Sequence, residues 1–538
     1  MITVFFHWVL LWISLPLTGY LACKIFDKKD NSLDYFKYLW IGYACLTGFL
    51  QILSFFLPMQ SYVVLVGWIF INLVGGYLIL RQKRKFDLAK LWVVIRKYPK
   101  FLLFMIVTIV IGLYSSTREV EHYDTYLYHF NMVSWNRNYP VVPGLANLHE
   151  RLGFNSSFHL VASFVERFVN PGYSVFILNG FLVVSLILYF YKLSTQESES
   201  KFVRIFTRLM IPYIFLRLLS GEALSLSSDL AVSVFSIVFL TAMLQNQQSR
   251  IQTLTMALLL PTIKLSGIMA PVIALVWCRV QKIQLPKLLI SSLVGIMILL
   301  SFFGRNLVIS GYPLFPSTIL GIAVDWSVPP ANARILSNTV TAWARMPGAD
   351  YLKSLSSYYW LNPWWLSVRN SLEVKFLFFA ILCLFVFGRK LATLDKNKYL
   401  LLFTYCMLSI SLILVMAPDL RFGSVYFYML GIGTLAAIIN INILDFNSQI
   451  KLTNFVVTYY LAFAVATQLA IYRFPPMIEF PVQIRQVALE QVKLTDESQI
   501  YLPENGDQCG NGPIPCTYYQ PNIQMRMKNN LAKGFRYE

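Results

Sequence analysis

The sequence predicts an all-α polytopic membrane protein with about twelve transmembrane helices, a re-entrant hairpin and a small extracytoplasmic C-terminal segment. Three observations lead to this fold class. The chain has 538 residues, of which 57% are hydrophobic and only 13% are charged. Its mean hydropathy is +0.58, whereas a soluble domain carries about 25% charged residues. Long apolar runs also recur along the chain, which excludes a purely soluble protein.

The apolar runs define the predicted membrane helices. Most have the roughly 17–25 residues that a helix needs to cross the hydrocarbon layer. The first run follows a start without Lys or Arg and is long enough to span, so we predict a retained helix and not a cleaved signal peptide. The predicted spans are 3–23, 38–57, 62–80, 101–117, 173–191, 205–219, 229–244, 288–303, 372–387, 399–416, 423–441 and 455–472.

Basic residues set the predicted orientation. The formal net charge is +19, but Lys and Arg fall in short loops between apolar runs, which is typical of cytoplasmic loops and requires no nucleic-acid partner. The densest basic segment, 81–100, is predicted to be cytoplasmic. Counting spans from it puts the N-terminus, 118–172, 304–371 and the tail outside. We therefore divide the chain into an N-terminal three-helix segment (1–100), a membrane core (101–472) and an extracytoplasmic tail (473–538).

Residues 251–279 break the simple pattern of spans. They form two short apolar halves around Pro261, with basic residues on both sides. This pattern predicts a helical hairpin that returns to the cytoplasmic side, with Lys264 near its turn. Irregular backbone at that depth is tolerated only inside protein or beside a water-filled cavity, which makes Lys264 a candidate functional residue.

The seven cysteines fall into two groups. Five lie in or beside apolar runs and are predicted to be small buried side chains. Cys509 and Cys516 lie close together in the polar tail, where they could form a disulfide if the tail is outside the cytoplasm. A metal-binding pair is the alternative, although no other Cys or His lies near them in the sequence.

The first large external segment contains the main candidates for chemistry. Glu119, Glu121 and Asp124 directly follow the end of a predicted span. A carboxylate at the membrane surface can act as a general base toward an acceptor hydroxyl. It can also hold a divalent cation such as Mg²⁺ or Mn²⁺ beside a phosphate leaving group, and Asp124 and Glu121 would be the ligands. In the alternative interpretation the loop is solvated and its acids only face water.

Four of the five histidines lie in the same segment. They are His122, His129, His149 and His159. None of them forms the His-x3-His pair that places two metal ligands on one helical face. We predict hydrogen bonding or phosphate contact for these side chains, with a zinc site as the alternative.

Other external segments place charged groups at the ends of spans. Asp229 opens one span, Arg305 ends another, and Arg421 lies in the short link M-A-P-D-L-R-F. Arginine binds phosphate through parallel hydrogen bonds and keeps its charge when partly desolvated. Each residue alone could be an interfacial anchor, but all three are predicted on the side of Asp124. This convergence favours a site for an anionic lipid phosphate and a hydroxyl acceptor.

These motifs resemble those of the GT-C superfamily of polyprenyl-phosphate-sugar-dependent glycosyltransferases, which includes protein O-mannosyltransferases and rhizobial core-oligosaccharide transferases. The acidic segment with Asp124 resembles the motif of the superfamily's first external loop, and S-S-D-L-A-V at Asp229 resembles its later Asp. P-T-I-K-L-S-G at Lys264 is similar to its Thr-Lys-Gly hairpin, and P-D-L-R-F at Arg421 to its late Arg-aromatic motif. In one departure, the acidic segment follows the fourth predicted span here, whereas superfamily members normally place it after the first.

Longer blocks resemble a family of bacterial membrane proteins that are described only as glycosyltransferase-like. H-Y-D-T-Y-L-Y-H-F contains Asp124, Tyr128 and His129, and Y-P-V-V-P-G-L-A-N-L-H-E-R-L-G-F-N-S-S contains His149, Glu150 and Arg151. The blocks R-N-L-V-I-S-G-Y-P-L-F-P and Q-C-G-N-G-P-I-P-C-T belong to the same resemblance. The similarity covers most of the chain.

The resemblance implies an inverting hexosyltransferase-type enzyme. It would move a sugar from a polyprenyl-phosphate donor to a cell-envelope glycan or lipid, at the periplasmic face of a bacterial inner membrane. Asp124 would be the general base, with Glu121 and Glu119 assisting it or holding a metal ion. Lys264, Arg305 and Arg421 would bind the donor phosphate. The implied substrate-binding residues are Asp229, His129, Tyr128, His149, Glu150 and Arg151.

Two other classes of protein stay open at this point. A polysaccharide polymerase or ligase acting on lipid-linked glycans tends to use Arg-rich external loops, and 304–371 contains Arg334, Arg345 and Arg369. A lipid or solute transporter would favour an internal repeat and ionisable residues midway along its spans. The sequence contains no such repeat that we detect, and apart from Lys264 its predicted spans are largely free of charge.

Overall fold

The computed structural model is mostly helical, with four short strands near the C-terminus. It describes residues 1–26, 34–81, 99–168, 171–347, 351–356, 358–395, 397–441 and 484–538, together with residues 458, 459, 462 and 466. The helices before residue 200 are α1 (Ile2–Phe26), α2 (Tyr35–Leu53), α3 (Tyr62–Arg81), α4 (Pro99–Ser115), α5 (Phe130–Asn138), α6 (Leu145–Leu148), α7 (Ser157–Val165) and α8 (Ser174–Thr195). Those that follow are α9 (Lys201–Leu219), α10 (Ser228–Leu244), α11 (Arg250–Ile263), α12 (Met269–Val280), α13 (Leu285–Ser310), α14 (Pro330–Arg345), α15 (Tyr351–Ser356), α16 (Leu361–Val368), α17 (Leu372–Ala392), α18 (Lys398–Met416) and α19 (Ser424–Ile441).

Seven of the described helices are long and apolar enough to cross a membrane: α1, α2, α3, α8, α13, α18 and α19. An eighth span results if Tyr358–Val368 and α17, which meet at 93°, are counted as one bent pair. These helices indicate a polytopic helical membrane protein. The count of twelve spans is not confirmed. The spans predicted at 101–117 and 229–244 correspond to helices of only 17 residues, and 455–472 lies almost wholly outside the described residues.

The first helices pack into the same core as the rest of the membrane part. A Cβ atom added to Gly19 would lie 1.9 Å from the carbonyl oxygen of Tyr38, and one added to Gly42 would lie 1.8 Å from that of Leu15. Glycine therefore lets the backbones of α1 and α2 touch, as small residues do between membrane helices. Buried side chains of α1 and α2 also join the hydrophobic cluster of α8, α10, α11 and α19.

The acidic loop, defined here as the predicted external segment 118–172, lies at one end of α2. The basic residue Lys192 lies at the other end. At the first turn of α2, Lys192 Nζ lies 2.8 Å from Asp34 Oδ1. Beyond its other end, the amide of Met59 donates to the carbonyl of Asn136, in the segment that follows Asp124. This separation fits the predicted charge asymmetry. The predicted basic loop 81–100 itself lies mainly outside the described residues.

Lys264 interrupts the pair of helices α11 and α12. Its backbone is extended, and a single 3-10 turn, Leu265–Gly267, separates it from the start of α12. The sequence predicts this break, but the return of the hairpin to the cytoplasmic side is not confirmed.

The segment predicted as the external loop 304–371 begins later than expected. Helix α13 continues to Ser310, and Gly311 ends it with a φ of +84°, a backbone conformation that favours glycine. Arg305 is therefore a helical residue and not a loop residue, because the helix runs two turns beyond the apolar part of its sequence.

The C-terminal domain, defined here as residues 484–538, contains two antiparallel pairs of strands. Strand β1 (Leu489–Lys493) pairs with β2 (Gln499–Pro503), and β3 (Ile523–Met525) pairs with β4 (Phe535–Tyr537). A disulfide joins Cys509 to Cys516, the two tail cysteines singled out from the sequence. Buried side chains of this domain pack with those of α5, α6 and α13 in a second hydrophobic cluster.

Candidate functional site

Within the acidic loop, Asp124 lies just before the turn that leads into α5. The next five residues, Thr125–His129, form a single π-type turn, a rare conformation that often marks functional sites. Thr125 and His129 are buried. The turn after Asp124 is therefore buried in the protein, whereas Glu119 and Glu121 before it face solvent.

Both oxygens of the Asp124 carboxylate face arginines. Arg151 Nη1 lies 3.5 Å from Oδ1, and Arg421 Nη1 lies 3.4 Å from Oδ2. Arg151 follows 27 positions after Asp124, whereas Arg421 comes from the short link between α18 and α19. The side chain of Asp124 is 19% exposed, so it stays within reach of a ligand.

Arg421 connects Asp124 to a second carboxylate. Its Nε atom lies 3.8 Å from Oδ2 of Asp229, and Lys264 Nζ pairs with Oδ1 of the same side chain. Asp229 lies in the first turn of α10 and Lys264 at the C-terminal end of α11. The helix dipole favours a negative charge at the first position and a positive charge at the second.

Five of the residues singled out from the sequence thus form one connected group, which we call the ion-pair cluster: Asp124, Arg151, Asp229, Lys264 and Arg421. Its cations keep access to ligands, since 27% of the Lys264 side chain and 44% of the Arg421 side chain are exposed. Burial lowers the pKa of Arg421, but the carboxylates of Asp229 and Asp124 outweigh this effect and raise it. Arg421 is therefore a permanent cation at the centre of the cluster.

Phe422 adds an aromatic face to the cationic side of the cluster. Its ring centre lies 4.2 Å from Lys264 Nζ and 5.3 Å from the Arg421 guanidinium carbon. Such contacts hold a cation in place without neutralising its charge. The Arg-aromatic motif in P-D-L-R-F is the sequence signal that points to this residue.

Three histidines of the segment, His122, His129 and His159, have neighbouring rings. The rings of His122 and His129 lie 5.8 Å apart, and those of His129 and His159 lie 4.6 Å apart. Burial lowers the pKa of His159 to about 4 and that of His129 well below its usual value. These two buried side chains are therefore neutral near pH 7. Thr125 Oγ1 lies within hydrogen-bonding distance of His122 and His129, which ties the stack to the turn after Asp124.

The residues that the structure describes contain no group of three or more His, Cys, Asp or Glu side chains that could hold a metal ion. The oxygens of Asp124 already face guanidinium groups, and Glu121 is exposed to solvent. The side chains present do not fit the divalent-cation site or the zinc site considered from the sequence.

The structure does not bring Glu119 and Glu121 into the cluster. Both side chains are exposed, and neither forms an ion pair with another described residue. Their predicted role beside Asp124 has no support in the contacts of the described residues.

Arg305 is also separate from the cluster. It is only 2% exposed. Its guanidinium donates to Ser54 Oγ at 2.5 Å, to Asn136 Oδ1 at 2.8 Å and to Asn155 Oδ1 at 3.1 Å. These bonds join α13 to α2 and the acidic loop. Arg305 is therefore a packing residue in this conformation, and its predicted phosphate contact is not supported.

The remaining predicted residues border the cluster on the side of the C-terminal domain. The guanidinium carbon of Arg151 lies 5.9 Å from the ring centre of Tyr128. Glu150 accepts a hydrogen bond of 2.7 Å from the hydroxyl of Tyr518. The ring of His149 packs edge-on against that of Tyr518. Nothing in the sequence indicates the contribution of Tyr518, because 368 positions separate it from Glu150.

Buried His149 predicts a loss of stability in acid. Burial lowers its pKa to about 4 in the folded state, while the unfolded side chain has a pKa of about 6.5. Between these values the unfolded chain binds the extra proton, so the free energy of unfolding falls as the pH falls, by about 2 kcal/mol at pH 5. The melting temperature should drop less between pH 7 and pH 5 in His149→Gln than in the wild type. An equal drop in both proteins would contradict the assignment.

The helical core and the ion-pair cluster together define a class: a polytopic membrane protein with a charged site at the ends of its helices. The chain belongs to the family described as "Domain of unknown function (DUF8201)", which matches residues 1–428. The matched region contains all five residues of the ion-pair cluster. No curated protein and no solved structure matches the chain.

Proposed function

We propose that this protein is an inverting glycosyltransferase that moves a sugar from a polyprenyl phosphate to an acceptor hydroxyl. The main support is the ion-pair cluster, in which a general-base candidate and two cations from distant parts of the chain meet. A lipid-phosphate leaving group needs the cations, and a hydroxyl acceptor needs the base. The GT-C resemblance names Asp124, Asp229, Lys264 and Arg421, and these four side chains are linked by direct contacts.

In the proposed reaction, Asp124 accepts the proton of the acceptor hydroxyl as the acceptor oxygen forms its bond to the anomeric carbon. The bond between that carbon and the phosphate oxygen breaks, and the polyprenyl phosphate leaves with the bonding electrons. Lys264 and Arg421 stabilise the negative charge that develops on the phosphate. Fixed cations aimed at developing charge are usually the largest contribution to catalysis.

The ion pairs suggest how donor binding prepares the base. Without a donor, Arg421 shares its charge between the carboxylates of Asp124 and Asp229. The phosphodiester monoanion of a bound donor competes for the same guanidinium. In our proposal, donor binding draws Arg421 toward the phosphate and leaves one oxygen of Asp124 free for the acceptor.

We place this chemistry on the extracytoplasmic face of a bacterial inner membrane, with a cell-envelope glycan or lipid as the acceptor. Two observations support this side. The C-terminal domain, which packs on the acidic loop, contains a disulfide, and such bonds persist outside the cytoplasm. The basic residues Lys24, Arg81 and Lys192 lie in the last turns of α1, α3 and α8. Basic residues at these helix ends are expected on a cytoplasmic side.

The arginines that favoured a polymerase or ligase do not reach the cluster. Arg345 donates to the carbonyl of Ser354 and its guanidinium carbon lies 4.8 Å from the ring centre of Trp360. Arg334 and Arg369 are exposed and form no ion pair with the residues of the cluster. Among the described residues, no observation singles out this alternative.

Binding of the lipid product tests the phosphate site without knowledge of the sugar. Short-chain polyprenyl phosphate should raise the melting temperature of the protein in lipid nanodiscs, whereas the matching polyprenol should not. The apparent Kd for polyprenyl phosphate should rise at least tenfold in Lys264→Met and in Arg421→Ala, since each variant loses a cation. Lys528→Ala is a matched control, because Lys528 lies in the C-terminal domain and its ion-pair partner among the described residues is the exposed Glu497.

Two outcomes would overturn the assignment. In one, polyprenol stabilises the protein as well as polyprenyl phosphate does. In the other, both cation variants bind polyprenyl phosphate as tightly as the Lys528→Ala control. If neither outcome occurs, release of polyprenyl phosphate from synthetic polyprenyl-phosphate sugars tests the transfer itself.

A further inference from the structure

The turn that carries Asp124 is held from the outside by the C-terminal domain. The hydroxyl of Tyr123 donates to Asp507 Oδ2 at 2.5 Å, and Gln508 Nε2 donates to the carbonyl oxygen of Tyr123 at 3.1 Å. On the other side of Asp124, the amide of Gly510 donates to the carbonyl oxygen of Tyr126 at 2.7 Å. These bonds come from three residues within the stretch 507–510 and hold the residues on both sides of the proposed base.

A second contact strengthens the hold on Tyr126. The amide of Arg485 donates to the hydroxyl of Tyr126 at 3.2 Å, and its guanidinium carbon lies 4.7 Å from the ring centre. The same guanidinium donates to Gln508 Oε1 at 2.5 Å. Arg485 therefore connects Tyr126 to the segment that contacts Tyr123.

The disulfide ties this segment to the strands of the domain. Cys509 directly precedes Gly510, and its partner Cys516 lies next to β2. The amide of Tyr501 in β2 donates to the carbonyl of Pro515, and the amide of Thr517 donates to the carbonyl of Tyr501. The disulfide thus gives the backbone at Gly510 a short covalent connection to a strand.

The domain is itself anchored away from the cluster. Arg526 forms two hydrogen bonds, of 2.7 and 3.1 Å, with the carboxylate of Asp325. The amide of Phe535 donates to the carbonyl of Pro143 at 3.0 Å. Because these contacts join the domain to two other segments, the disulfide-closed segment belongs to a domain that is anchored to the rest of the protein.

We propose that Asp507, Gln508 and Gly510 are positioning residues which, through the disulfide-closed segment, hold the Asp124 turn in place for proton transfer. From the inside, the turn is held by the hydrogen bond from the amide of Leu226 to Thr125 Oγ1. Arg151 and Arg421 contact the Asp124 carboxylate itself, whereas the C-terminal domain holds the main-chain carbonyls of Tyr123 and Tyr126. A general base must stay within hydrogen-bonding reach of its proton, and a displacement of about 1 Å can cost about a hundredfold in rate. The catalytic consequence rests on the function proposed above, whereas the mechanical hold does not.

Hydrogen exchange measures this hold without any substrate. We would compare the full-length wild type with Cys509→Ser/Cys516→Ser, Asp507→Ala and Asp507→Asn in lipid nanodiscs, with Lys528→Ala as the control. In the disulfide variant and in Asp507→Ala, amides of residues 123–130 should exchange at least tenfold faster. Asp507→Asn should stay near the wild type, because an amide oxygen still accepts the Tyr123 hydroxyl. Exchange in α10 and α19 should not change in any variant.

Kinetic measurements separate positioning from a general loss of structure. With a synthetic polyprenyl-phosphate sugar, turnover should fall about 10- to 100-fold in Asp507→Ala, while the apparent Kd for polyprenyl phosphate stays within about twofold of the wild type. Asp507→Asn should recover most of the turnover.

The outcomes distinguish the two proposals. Unchanged exchange of residues 123–130 in both Asp507→Ala and the disulfide variant would overturn the positioning role, even if the wild type transfers sugar. Faster exchange in these variants, together with no transfer by the wild type, would support the positioning role and overturn the proposed function. If the disulfide variant fails to fold, Asp507→Ala alone decides the result.

Discussion

Replacing Asp124 by Asn should abolish sugar transfer while the protein still folds and inserts into the membrane. A positioned general base contributes about 10²- to 10⁴-fold to the rate, and an amide cannot accept the acceptor proton. The partly exposed ion pairs of Asp124 contribute less than about 1 kcal/mol each, so the melting temperature should change by only a few degrees. The assay is release of polyprenyl phosphate from a synthetic polyprenyl-phosphate sugar in nanodiscs.

Glu121→Gln gives the contrast that the sequence alone would not predict. Glu121 is three positions from Asp124, but it is exposed and makes no ion pair with the cluster. This variant should keep most of its activity. Full activity of Asp124→Asn, or an equal loss in both variants, would remove Asp124 as the base.

Replacing Asp229 by Asn should destabilise the protein more than any other single change in the cluster. The Asp229 side chain is 9% exposed and pairs with Lys264 and Arg421. Removing one partner of a buried ion pair costs about 3–5 kcal/mol. We expect about 3 kcal/mol here, at the lower end of that range, because both cations keep some access to water.

A double variant tests whether the cost arises from the unpaired lysine. Asp229→Asn/Lys264→Met should be more stable than Asp229→Asn alone, since the uncompensated charge is gone and Met fills the space of the lysine stem. Polyprenyl phosphate should also stabilise Asp229→Asn more than the wild type, because its phosphate no longer competes with the carboxylate for Lys264. Melting curves of the wild type, Asp229→Asn and the double variant, with and without the lipid, provide the comparison. A double variant less stable than Asp229→Asn would contradict this account.

The site could be predicted from the sequence where it depends on which side of the membrane a segment reaches. Charge counting assigns Asp124, Asp229 and Arg421, at the ends of apolar runs, to one side of the membrane. Lys264 lies at a break within the predicted hairpin. Helix ends on one side of a bundle lie within a small area, so their charged side chains come into contact. This is why four short, individually weak motifs converge in space.

Arg305 shows the limit of that argument. Its position at the end of an apolar run is correct, yet α13 continues past it and the side chain turns into the protein. The sequence contains no sign that Ser54, Asn136 and Asn155 would supply acceptors for its guanidinium. The contacts of Tyr518 and Asp507 could not be predicted from the sequence either, because the packing of a folded tail depends on side-chain shape and not on periodicity.

The contact between the end of α2 and the acidic loop has a consequence for how this protein can be shortened. The far end of α2 lies against the acidic loop through main-chain bonds from Met59 to Asn136 and from Val141 to Ser54. A truncation that starts near residue 99 would remove that scaffold and leave the carbonyl of Asn136 without its donor. Helices α1–α3 are therefore part of the structure that supports the acidic loop. Shortened proteins used in activity assays need to retain these helices.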